Sequence, residues 1–171
     1  MRHRQAPPGC PGAGAGAAGR DRVGARRRAR ELAFLALYQS DLLGEPALVR
    51  LQDIVGGAAR PPDVVEFAAH IVQSFDRHHA AVDRAIRESS PRWELERMTA
   101  TDRAVLRLAV VELLFMPGVP EPVTINEAVE VAKRYGGDES GHFVNAVVDA
   151  VRRRALERTA DPGVEGAADG P

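Results

Sequence analysis

Arg26-Arg27-Arg28-Ala29-Arg30-Glu31-Leu32-Ala33-Phe34-Leu35-Ala36-Leu37-Tyr38 decides how this chain is read. Apolar residues continue to Leu43 at three- and four-residue spacing, and Gly44-Glu45-Pro46 breaks the run, so a helix is expected from about Val23 to Leu43. At 100° per residue Leu32, Leu35, Ala36, Gln39, Leu42 and Leu43 share a broad inner face, with Arg26, Arg27 and Arg30 roughly opposite; Arg28 must snorkel to reach solvent. Four guanidinium groups in the first turns of a helix repel one another and the positive end of its dipole. An anion relieves that repulsion, and phosphate suits it best, because arginine forks pair with phosphate oxygens in bidentate geometry. The stretch therefore reads as a nucleic-acid contact made by Arg26, Arg27, Arg28 and Arg30.

The charge distribution agrees. Residues 1–30 carry eight arginines and one acid, a balance of +7, whereas the rest carries 15 basic and 23 acidic residues, a balance of -8, so the formal net charge of -1 hides a basic arm on an acidic body. Such a division suits a polyanion at one place and a basic partner at another. No run approaches the roughly 18 apolar residues that span a bilayer, and the amino-terminal Ala/Gly/Pro stretch is too weakly apolar for a secretory signal. With one cysteine, Cys10, there is neither an intramolecular disulfide nor a thiolate zinc site, and a cytoplasmic location is expected.

Gly14, Gly16 and Gly19 satisfy a dinucleotide-binding spacing, but the preceding Ala6-Pro7-Pro8-Gly9 cannot be the buried strand that motif requires. Residues 1–22 are expected to be a disordered basic tail, a form also produced if translation truly starts at Val23. Residues 159–171 are expected to be a second disordered tail. Between them, 23–158 read as one helical domain with subdomains of about 23–89 and 90–158. A short helix from Ala47 to Val55 precedes a long one, opened by Pro61-Pro62 and lined by Val64, Phe67, Ala68, Ile71, Phe75, Val82 and Ile86. Thr99 or Thr101 caps a very apolar helix through Leu114, stopped by Pro117-Gly118. Thr124 and Glu127 have capping-box spacing for a helix ending at Gly136-Gly137, and Asp138 caps the last helix.

Catalytic chemistry finds little support. Glu94 with Glu96, and Asp138 with Glu139, are spaced as on a solvated helix surface, without a nucleophile beside them. His70, Asp76, His78 and His79 do not converge as metal ligands, since adjacent helical residues diverge by 100°. Neither a metal nor another cofactor is expected.

Arg26 to Ala33 followed by Ala36-Leu37-Tyr38-Gln39 resembles the first helix of the NusB family of bacterial transcription antitermination factors. The likeness extends through Asp102-Arg103-Ala104-Val105-Leu106-Arg107-Leu108-Ala109, Val119-Pro120, Ile125-Asn126-Glu127-Ala128-Val129-Glu130, Ala132-Lys133, Gly136, Ser140 and Phe143-Val144-Asn145. It covers about Ala25 to Arg154, with Gly44 to Arg92 similar in helical pattern only. The resemblance implies an all-α bundle of about seven helices in two packed subdomains, and no enzyme. It implies pairing with NusE, a small-subunit ribosomal protein, binding to the single-stranded boxA element of ribosomal RNA leaders, and action within an RNA polymerase antitermination complex. By the same likeness Arg26, Arg27, Arg28 and Arg30 contact RNA, Glu139 and Phe143 lie near it, and Lys133 and Arg134 extend the basic track. Tyr38, Glu96 and Asp102 fall on the NusE-contacting surface, although the family usually has glutamate at the position of Asp102 and glycine at that of Ala146. Two other readings remain: a domain related to the RNA-binding part of ribosomal RNA cytosine methyltransferases, and a homodimer, for ribosomal RNA maturation or assembly, that buries the arginine face.

Overall fold

The computed structural model describes residues 15–160, with side chains from Arg22 onward. The described residues form six α-helices, α1 (Ala15–Leu43), α2 (Ala47–Gly56), α3 (Pro62–Ser89), α4 (Ala100–Phe115), α5 (Glu121–Gly136) and α6 (Asp138–Ala160), with a 3-10 turn at Leu95–Arg97 before α4. Residues 1–14 and 161–171 lie outside the described set, so most of the two expected tails does too. Within it, Ala15 to Arg22 and Thr159-Ala160 are helical and correct the expected tail boundaries. Five of the eight residues from Ala15 to Arg22 are alanine or arginine with high helix propensity, and they extend a helix already nucleated by packing downstream. The arginine cluster consequently lies inside α1 rather than at its amino end, which removes the expected dipole penalty.

The stops of α1, α4 and α5 fall on the anticipated Gly or Pro signals, but the starts differ where tertiary packing intervenes. Thr99 caps α4, its Oγ1 accepting from the Asp102 amide at 3.1 Å and donating to Asp102 Oδ2 at 2.8 Å. Thr124 and Glu127 form no capping box. Helix α5 starts a turn earlier, at Glu121 after Pro120 with Pro122 in its first turn, which leaves Thr124 2% exposed in the helix interior and facing α4.

Helix α4 is the centre of the bundle: Ala104, Val105, Leu106, Leu108, Ala109, Val110 and Val111 are all buried. It packs on α1, α3, α5 and α6, while α2 closes the far side of α1 and α3. Enclosed from several directions, α1 buries Ala25, Ala29, Leu32, Ala33, Phe34, Ala36 and Leu37, more than half its circumference. Leu42 and Leu43, expected on the inner face, are instead 58% and 59% exposed in the last turn of α1.

Arginines on α4 lock this arrangement. Arg103 donates to Asp41 Oδ2 of α1 at 2.6 Å and, through Nη1, to the carbonyls of Leu95 and Met98 at 3.0 Å each. One turn on, Arg107 bridges Asp41 (2.6 Å) and Asp83 of α3 (2.8 and 2.9 Å). For Asp41, burial is the largest single influence and by itself raises the carboxyl pKa; hydrogen bonds from Arg103 and Arg107, reinforced by their charges, outweigh it and hold the group below the ordinary aspartate value. Because the unfolded chain releases that proton less readily, the contribution is complete above the ordinary value of 3.8 and disappears as pH falls through the lower folded value. An Asp41→Asn variant is expected to lose about 2 kcal/mol at neutral pH, and the gap to wild type should narrow below about pH 4. Urea unfolding across a pH series measures this; a gap that stays constant down to pH 2 contradicts the assignment.

Candidate nucleic-acid interface

The four arginines of α1 separate into two kinds. Arg26, Arg27 and Arg28 are exposed, and Arg28, expected to snorkel, stands free of the inner face with no ionic partner among the described residues. The Arg26 guanidinium lies 5.1 Å above the Phe67 ring of α3. Arg27, 49% exposed at its side chain, makes a fork with Glu127 of α5 at 3.1 and 2.9 Å. That hydrogen bond, then the charge of Glu127, raises the already high pKa of Arg27 and keeps it cationic.

Arg30 differs. It is 3% exposed, and its Nε and Nη2 donate to the two carboxylate oxygens of Glu112 at 2.7 and 2.8 Å, inside the bundle. Glu112 itself is 1% exposed and also accepts from the Thr124 hydroxyl at 3.2 Å. The expectation that Arg30 faces solvent is therefore corrected: its Nε–Nη2 edge is taken up by Glu112 within the core, which fixes α1 against α4. Sequence reading missed Glu112, although one clue was present. It is the single acid in the otherwise apolar run from Leu108 to Phe115.

Lys133 and Arg134 are exposed on α5, across a 290 Å³ cleft from Arg27 and Glu31. Arg134 pairs with Glu31. The Lys133 stem crosses Gly141 of α6 so closely that a Cβ there would stand 2.6 Å from Lys133 Cγ, and Gly137, at φ 90°, makes the turn that brings α6 back against α5. Arg27, Lys133 and Arg134 thus form one basic rim, interleaved with Glu31, Glu127 and Glu130. Glu139 is exposed in the first turn of α6. As a carboxylate it repels phosphate and can only accept from a base amino group. Phe143 is half-buried one turn further, edge-on to Trp93.

Of the other three candidates, Glu96 and Asp102 flank the Arg103 clamp, which holds α1, the 3-10 turn and the start of α4 together, and Tyr38 lies one turn before Asp41 on α1. Tyr38 is half-buried beside Phe34, with ring centroids 6.1 Å apart. Glu96 is 66% exposed and accepts from Arg87 at 2.5 Å, a hydrogen bond that lowers its pKa. Asp102 is 9% exposed and its Oδ2 is engaged by Thr99, while Oδ1 is buried without a partner among the described residues. No group of His, Cys, Asp and Glu among the described residues is arranged to hold a metal ion, and no described helix is long and apolar enough to cross a membrane.

A model of the NusB family matches residues 27–153, from Arg27 on this basic rim through the helix that carries Phe143. The chain belongs to the NusB family. It is 40% identical over 137 residues to the transcription antitermination protein NusB of Geotalea uraniireducens, covering 75% of this chain and 94% of that relative. Among solved structures, T. maritima NusB superposes with a TM-score of 0.70 at 36% identity, over 75% of this chain and 90% of the other. A crystal structure of the antitermination factors NusB and NusE in complex with double-stranded RNA also superposes, with a TM-score of 0.70 at 30% identity, over 76% and 97% of the two chains. The NusB-like all-helical fold anticipated from the motifs is thus the fold found, with six α-helices and a 3-10 turn where about seven helices were expected.

Removing one member of the Arg30–Glu112 pair strands the other charge in the core. A Glu112→Ala variant is expected to lose about 3–5 kcal/mol in denaturant unfolding, whereas the double change Arg30→Met, Glu112→Leu should recover most of that loss. Equal stability of the single variant and wild type would overturn the assignment.

Proposed function

We propose that this member of the NusB family is a cytoplasmic RNA-binding antitermination factor that acts by binding rather than catalysis, pairs with NusE and recognises boxA-type single-stranded RNA within an RNA polymerase antitermination complex. The observation that carries the proposal is the rim of Arg27, Lys133 and Arg134 at the seam of α1 and α5, with Arg26 and Arg28 exposed on the same stretch of α1. Relatives at about 40% identity bear the antitermination name, and the superposed NusB–NusE structure contains RNA. Arginine forks on this rim bind phosphates; Glu139 and Phe143, at the start of α6, meet bases by hydrogen bonding and stacking. Arg30 contributes indirectly, by fixing the rotation of α1.

The NusE-facing surface in this proposal comprises Tyr38, Glu96 and Asp102. Its unsatisfied Asp102 Oδ1 is supported as a contact point by chemistry: a buried carboxylate oxygen lacking a donor is stabilised when a partner supplies one. Asp102 is shorter than the glutamate implied by the family resemblance, so the donor must approach closely.

Fluorescence anisotropy of a labelled boxA RNA, titrated with and without NusE over a salt series, tests the function. Tight binding should require NusE. If all five cations contact phosphates, log affinity should fall with log salt at a slope of about -3.5, at ~0.7 per contact. The Arg27→Ala, Arg28→Ala double variant should reduce that slope by about 1.4 while remaining folded. A wild-type slope near zero, or weak binding that NusE does not strengthen, would sink the proposal.

A further inference from the structure

Trp93 is the sole tryptophan of the chain, and it is 62% exposed. Its backbone is nevertheless fixed. The Trp93 amide donates to the Ser90 carbonyl at 2.9 Å, and the Ser90 hydroxyl donates to the Ile86 carbonyl at 2.7 Å, which ties the linker to the last turn of α3. The indole meets Phe143 of α6 with ring centroids 5.7 Å apart and planes at 69°. At that angle the rings do not cover each other; they stand as adjoining walls of an open cleft of about 250 Å³, completed by Pro91, Arg92 and Ala146. A large aromatic surface held rigidly in water is a platform awaiting a flat partner.

We propose that Trp93 and Phe143 form a stacking cleft for one unpaired nucleobase of single-stranded RNA, with Arg92 holding the adjoining phosphate. This deepens the RNA-binding function above and rests on it. Three features favour a base. The walls are aromatic and mostly apolar, as base stacking on proteins requires. The volume lies just below the roughly 300–1,000 Å³ of pockets that enclose drug-sized ligands, so a single flat ring system suits it better than a folded ligand. The cleft also shares Phe143 with the proposed RNA surface, and Glu139, four residues earlier, lies on the same side of α6, so a strand that meets Glu139 and Phe143 has Trp93 beside it. Ala146, where the family resemblance implies glycine, adds a methyl group to the apolar lining.

Because Trp93 is unique, its emission reports directly on the cleft. The experiment titrates the full chain, with NusE present, against labelled single-stranded boxA RNA, reading anisotropy and tryptophan fluorescence in parallel; Trp93→Phe supplies the fluorescence blank. The expected result is saturable quenching of Trp93 with the same midpoint as anisotropy. Trp93→Ala should weaken binding by roughly five- to 150-fold, as loss of one base stack does, without changing the salt slope, and Trp93→Phe should retain most of the affinity. Circular dichroism checks that both variants are folded, as expected for a side chain this exposed. Binding with the full salt slope but no quenching, and with Trp93→Ala equal to wild type, overturns the stacking cleft and leaves the arginine-rim function intact. No RNA binding by wild type at all overturns both. Quenching by NusE alone, with no further change on adding RNA, overturns the stacking cleft in favour of a protein contact.

Discussion

The Arg30–Glu112 pair is the constraint on which the placement of the rest depends. A guanidinium and a carboxylate that are both nearly removed from water tolerate very little displacement, because separating them leaves charge in an apolar interior. Glu112 belongs to the central helix α4, Arg30 to α1, and Thr124, which shares the same carboxylate, to α5. Three helices are thereby keyed to one another at a single point. Once the rotation of α1 is set by Arg30, the direction of its neighbours follows at 100° per residue. Arg27 then comes up against Glu127, Arg26 lies over Phe67, and Arg28 points to solvent.

The acidic excess of the body acquires a different meaning in this light. Asp41, Asp83, Glu112 and Glu127 do not form a docking face for a basic partner; each is paired with an arginine of the same chain. Their effect is to hold cations in place. On the basic rim this matters for recognition, since Arg27 and Arg134 are already extended and oriented by Glu127 and Glu31, and less side-chain freedom is lost when an anion arrives. The acids also lower the net positive potential of the rim, so a nonspecific polyanion gains less from it than from a bare arginine cluster.

What the sequence made legible was local: the Pro and Gly stops, the apolar periods of α3 and α4, the Thr99 cap and the family motifs. The missing parts were those fixed by residues distant in the chain. The spacing of Thr124 and Glu127 does suit a capping box, but Pro120 and Pro122 start α5 a turn earlier, and both side chains are claimed by other helices. Helical phase put Arg30 opposite the inner face because Phe34 and Leu37 were not counted on that face; both are buried, and Arg30 falls between them in phase. Its true partner stands 82 residues away. The Asp102-Arg103-Ala104-Val105-Leu106-Arg107 motif was legible as a family mark but not as a structural device, since nothing in its spacing indicates that Asp41 and Asp83 converge on it.

The ten residues between α3 and α4 show how exposed side chains can be held in fixed positions with no more than one 3-10 turn beneath them. Ser90 ties one end of the segment to α3, Arg103 holds the Leu95 and Met98 carbonyls near the other, and Leu95 and Met98 insert their side chains into the core. With its backbone tied at both ends and two apolar anchors buried, the segment does not depend on its intervening side chains for its position. Trp93 and Glu96 are therefore free to face solvent from fixed positions, one toward Phe143 and the other toward Arg87. Irregular backbone held this firmly can present a stacking surface and a partner contact on one short segment, each leaving the other's chemistry undisturbed.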